Sequence, residues 1–134
     1  MTPRGAAVAL LALPLLPACG SAQARGATRV VLDVEWSTFS ESAVTVRRGV
    51  PVTFVVRNGD PIDHELIVGD AALQLRHERG TEPAHGDRPG EVTVPAGATA
   101  ETTVTFERPG TLYFACHLPG HYAYGMRGLV SVVG

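Results

Sequence analysis

Past residue 28 the sequence is a succession of short β-favouring runs, each closed by a turn signal, and this punctuation constrains the fold more than any other feature. Residues 29–36 (RVVLDVEW) are β-rich and partly alternating, and Val44 and Val46 alternate with polar neighbours before a Gly49-Val50-Pro51 turn. Residues 52–56 (VTFVV) read as a buried strand ending at Asn58-Gly59. Residues 66–68 form a short strand closed by Gly69, and Val92 and Val94 precede a turn at Pro95-Ala96-Gly97. Residues 99–106 alternate, with Ala100, Thr102, Val104 and Phe106 on one face and Glu101, Thr103 and Thr105 on the other. Pro109-Gly110 turns into residues 112–115, and residues 129–133 supply the final run. Seven to eight strands at this spacing predict an all-β fold, an antiparallel Greek-key β-sandwich. Only residues 70–78 suit a short helix, and the polar stretch 77–90 reads as a long surface loop. Fifteen Gly and ten Pro in 134 residues leave little room for long helices.

That length supports one domain, assigned to residues 29–134. At 45% hydrophobic and 18% charged residues the chain is not a disordered one. All eleven basic residues are scattered Arg against 13 acidic residues, so no nucleic-acid partner is expected. Residues 1–18 read as an export signal, with one early charge at Arg4 and an apolar run too short to span a bilayer. Two processing routes remain open. Leu16-Pro17-Ala18-Cys19 resembles a lipobox, which would make Cys19 a lipidated first residue. Residues 19–28 would then be a tether reaching at most about 30 Å. Ala22-Gln23-Ala24 instead fits an ordinary cleavage site that releases a soluble protein. Either route places the domain outside the cytoplasm, lipid-anchored at the outer face of the cell membrane or free in the periplasm or beyond.

The chemistry concentrates near the C-terminus. The loop Cys116-His117-Leu118-Pro119-Gly120-His121-Tyr122-Ala123-Tyr124-Gly125-Met126 spaces Cys, His and Met five residues apart. Strand parity puts Leu112, Phe114 and Cys116 on one face, directing the thiol into the sandwich. A thiolate, two imidazoles and a distant thioether tolerate both Cu(I) and Cu(II), whereas zinc requires a fourth strong ligand. The missing imidazole is assigned to His64, at the start of strand 66–68 and at the same end of a sandwich as the Cys loop.

This arrangement resembles the cupredoxin family, the plastocyanin- and azurin-like blue copper proteins, over residues 29–134. The carrying residues are Asn58 and His64 on one loop, the Gly-Thr-Leu-Tyr-Phe-Ala-Cys lead-in, and Cys116, His121 and Met126 on the other. The resemblance implies one type 1 copper ion held by His64, Cys116, His121 and Met126, and one-electron transfer between redox partners. The Cys-His-x-x-x-His-x-x-x-x-Met spacing is also similar to the end of multicopper oxidases, which carry His on both sides of the Cys. Here Ala115 replaces one of them, so no enzyme activity is expected, and His117 is assigned to the surroundings of the site or the surface. Two cysteines in the loop would be needed for the binuclear copper domain of cytochrome oxidase subunit II, which excludes that branch.

Glu65 stands where plastocyanin and azurin have an Asn joining the two ligand loops, leaving Asn58 or Asp63 as candidates for that task. Leu118, Pro119, Tyr122 and Tyr124 around His121 suit a docking patch for a redox protein, with the alternative that the tyrosines merely pack the loop. A monomer is expected. Trp36 and Phe39 are assigned to core or rim packing. His77 and His85, with Glu78, Glu82 and Asp87, are read as solvated loop residues in preference to a second metal site, since Arg76, Arg79 and Arg88 oppose a cation. The main functional reading is an electron carrier, and the alternative is copper binding and delivery in copper homeostasis or resistance.

Overall fold

A computed structural model describes residues 26–80, 85 and 88–134. The expected export signal, Cys19, the Ala22-Gln23-Ala24 site, Glu82, Asp87 and most of the tether lie outside the described residues. Nine strands and one helix follow in order: β1 Thr28–Glu35, β2 Thr38–Phe39, β3 Ala43–Arg47, β4 Pro51–Asn58, β5 His64–Gly69, α1 Ala71–Arg79, β6 Glu91–Val94, β7 Thr99–Thr105, β8 Gly110–Ala115 and β9 Arg127–Val133. One sheet has the order β2-β1-β4-β7 and the other β3-β9-β8-β5-β6. The expected all-β sandwich is therefore present, although β1–β4 and β3–β9 pair in parallel and the sheets are mixed. Alternation reports which face is buried and carries no information on strand direction, so these two pairings were not readable from the sequence.

The core lies between the sheets, where Leu32, Val34, Val52, Phe54, Val56, Leu66, Phe114 and Val130 are all wholly buried. Phe39 meets the Phe114 ring edge-on at 5.4 Å between centroids. β9 carries Gly128 because a Cβ there would run into the Phe114 ring. Trp36, by contrast, is 90% exposed, which corrects its assignment to core packing.

β5 is buried on both faces, which explains why it shows no alternation. Its register with β6 and β8 turns His64, Leu66 and Val68 toward the core and Glu65 and Ile67 outward. The outward face lies under α1, whose Gln74 Nε2 donates to the carbonyls of Ile67 and Tyr113. Asp70 caps this helix by accepting the Leu73 N–H at 2.8 Å. Among the described residues no helix is long and apolar enough to cross a membrane.

Candidate metal centre

β5 begins at His64 and β8 hands over to Cys116, so the two loops open at the same pole of the sandwich. His64 is wholly buried, with Nε2 2.8 Å from Asp60 Oδ2. An ionised carboxylate only accepts, so Nε2 carries the proton and Nδ1 is left as a bare lone pair. That Nδ1 is buried without a hydrogen-bond partner. Cys116 Sγ sits 3.3 Å from His121 Nδ1, and the two imidazole centroids are 5.0 Å apart. One ligand atom from each of His64, Cys116 and His121 falls within 4.8 Å of the other two. Met126 is buried in the same apolar cluster as Cys116. Backbone bonds from Met126 N to the His121 carbonyl and from Cys116 N to the Met126 carbonyl close the loop on itself. An orphaned buried imidazole nitrogen is costly by itself, and the soft N₂S donor set fits copper.

The electrostatics agree. Burial pushes the Cys116 thiol up to about 11, so a bound cation must displace a proton to use the sulfur. Burial, with the neighbouring His64, lowers His121 and favours the neutral ring. Burial alone would raise Asp60, but hydrogen bonds from the Ser37 and Trp36 N–H groups and from His64 outweigh it and hold the carboxyl below its usual value.

Asp60 is the residue that sequence reasoning missed. Both Trp36 and Ser37 adopt left-handed φ values, 55° and 53°, and so turn two successive N–H groups onto its carboxylate. The Asp60 loop is pinned by Asn58, whose Nδ2 donates to the carbonyls of Ile62, Val94 and Pro95 and whose Oδ1 accepts the Asp60 N–H. Asn58 thus shapes one loop, and Asp63 accepts from Ala96 N. Neither joins the two ligand loops. Glu65 does so itself, accepting the His117 N–H at 2.7 Å through Oε1. An outward-facing Glu on β5 thus reaches the loop that follows the neighbouring β8.

The reading of His77 and His85 as solvated loop residues is corrected. His77 lies on α1 and is buried, the His85 side chain is 2% exposed, and Glu91 is buried on β6. The His117 side chain joins them, also 2% exposed, with Nδ1 2.8 Å from Glu78 and Nε2 2.7 Å from Gln74 Oε1. Of the expected docking residues, Tyr122 is half-buried, stacked on His117 at 4.9 Å with the Arg127 guanidinium over its ring. Leu118 packs against the core, while Pro119 and Tyr124 are exposed.

Comparison with known proteins converges on the same chemistry. The sequence is 39% identical over 116 residues to the copper-resistant cuproprotein CopI of Rubrivivax gelatinosus, covering 84% of this chain and 69% of that protein. It is 31% identical to the copper-resistant cuproprotein CopI of Pseudomonas aeruginosa, covering 84% of this chain and 78% of the relative. The dithionite-reduced auracyanin of Roseiflexus castenholzii shares the fold, with a TM-score of 0.70 at 22% identity, covering 81% of this chain and 99% of that one. The family of copper binding proteins of the plastocyanin/azurin type matches residues 28–133. A β-sandwich with a His-Cys-His set at one pole, matched over residues 28–133, identifies the chain as a member of the plastocyanin/azurin family, with copper as its metal.

Proposed function

We propose that this protein works outside the cytoplasm in copper resistance, holding one type 1 copper through His64, Cys116, His121 and Met126. The observation that carries the reading is the convergence of one ligand atom each from His64, Cys116 and His121 within 4.8 Å, with His64 Nδ1 buried and unpartnered. The resistance role is supported by the relatives at 31–39% identity, which are named copper-resistant cuproproteins. Copper bound there would cycle between two valences by one electron. The chain supplies the rest. Asp60 fixes the His64 tautomer, Glu65 ties the Cys loop to β5, and the apolar cluster around Met126 and Phe114 keeps water out. Ala115 in place of a second flanking His argues for a binder, not an oxidase.

In a host lacking the gene, the wild-type protein is expected to restore growth in copper and Cys116→Ser to fail. Full rescue by the variant would overturn resistance through this site. Copper-loaded wild type should also show an intense visible charge-transfer band that Cys116→Ser lacks.

A second reading, electron transfer to a redox protein, is favoured by the half-buried His121 ring set beside exposed Pro119 and Tyr124. Pro119→Asp with Tyr124→Asp should then slow electron exchange with the partner while leaving the visible band intact. An unchanged exchange rate counts against that docking surface.

A further inference from the structure

The five histidines fall into two groups, and the one beneath α1 is arranged as a ligand set in its own right. His77 Nδ1 lies 3.0 Å from the Leu73 carbonyl, which can only accept, so Nδ1 bears the proton. His77 Nε2 is then a bare lone pair. It is buried without a hydrogen-bond partner and faces Glu91 Oε2 at 3.5 Å, lone pair against carboxylate. The same Oε2 is 3.2 Å from His85 Nδ1, while His85 Nε2 is 3.2 Å from Glu65 Oε2. A neutral imidazole satisfies only one of those carboxylates with its single proton. Ligand atoms of His77, His85 and Glu91 all lie within 4.8 Å of one another. Bonds of about 2.0–2.1 Å in a tetrahedron separate neighbouring ligands by about 3.3 Å, close to the two contacts at Glu91.

We propose that His77, His85 and Glu91 form a second metal site, for a divalent first-row cation such as Cu(II) or Zn(II), distinct from the copper centre at His64, Cys116 and His121. Two imidazoles and a carboxylate favour these ions over Cu(I), which prefers thiolate and thioether donors. The supporting groups are already in place. With its proton on Nε2 toward Glu65, His85 would turn Nδ1 to the cation in place of Glu91's contact, in the carboxylate–histidine–metal pattern. His85 is held by its N–H to Thr93 Oγ1 at 2.6 Å and by its carbonyl, which accepts the Thr93 N–H at 2.8 Å. His117 is not a ligand, because both its nitrogens face acceptors and the Gln74 amide is fixed by its own two donations. Arg88 reaches Glu91 from the rim at 3.6 Å with its side chain 62% exposed. A bound cation would repel that guanidinium toward solvent.

The test uses the full protein with its first site filled by Cu(I), which is diamagnetic, titrated with Zn(II) and separately with Cu(II). Wild type should take up one further equivalent of either ion. Zn(II) should shift the ring ¹⁵N resonances of His77 Nε2 and His85 Nδ1. Affinity should fall at least about tenfold in His77→Ala and in Glu91→Gln, with the visible band of the oxidised first site retained. Cu(II) should add a tetragonal signal without sulfur charge transfer. A single equivalent in total, or a second one that leaves the His77 and His85 ring nitrogens unmoved, overturns the proposal. The ring-nitrogen measurement needs no variant, so a substitution that impairs folding does not leave the question open.

Discussion

The inner centre and the outer cluster are built from adjacent residues on the same strands, yet they differ in every other respect. His64 and Cys116 face the core, and their successors Glu65 and His117 turn to the opposite side of the sheet under α1. The inner centre ends in a sulfur and one bare imidazole nitrogen beside an apolar cluster. The outer one is dominated by carboxylates set against imidazoles, with His77 Nε2 left unpartnered among them. Strand alternation places two kinds of metal chemistry back to back with a single sheet between them. Glu65 is the group that serves both.

Replacing Glu65 by Leu should therefore cost the most. It takes the acceptor from the His117 N–H and the carboxylate from beside His85 Nε2, a loss of about 3 kcal/mol in total, read as a lower urea midpoint. Equal stability of Glu65→Leu and wild type would show that the two regions are independent. Asp60→Ala addresses the inner centre alone. With the His64 tautomer released, copper affinity should drop about 10- to 100-fold in chelator competition, while binding at the outer cluster stays unchanged.

Acidity separates the regions further. The Cys116 thiol, raised to about 11, is protonated throughout the physiological range, so copper uptake should release its proton. Affinity should accordingly rise about tenfold per pH unit below that value and level off above it. A pH-independent affinity would mean that the sulfur is not a ligand. The smallest effect is expected at Trp36, which contributes its backbone and little of its side chain. Trp36→Ala should change stability by less than about 0.5 kcal/mol, against about 3 kcal/mol for Phe39→Ala in the core, both from chemical denaturation.

The inner centre was largely legible because its residues sit in one short loop, where spacing and strand parity fix which way Cys116 points. His64 could be paired with that loop from its position at a strand start. Asp60 was not legible, since its partners are backbone N–H groups at Trp36 and Ser37, exposed to it by left-handed turns that no side chain announces. The outer cluster was hidden for another reason. Its members come from α1, the following polar stretch, β6 and the residue after Cys116, and only the docking of α1 on β5 and β8 removes them from water. Local polarity suggested solvent; tertiary packing decided otherwise.

The placement of β9 governs when this protein can be completed. It follows the Cys loop in sequence but lies inside its sheet, between β3 and β8, pairing Ala43 with Leu129 and Gly110 with Val132. A ribosome-bound chain that stops short of Val133 lacks the plank that joins these neighbours, and β3 has nothing to zip onto. Such high-separation contacts slow folding and defer closure of this sheet until β9 has paired. The enclosing of the ion by the Cys loop therefore waits on the seating of this one strand.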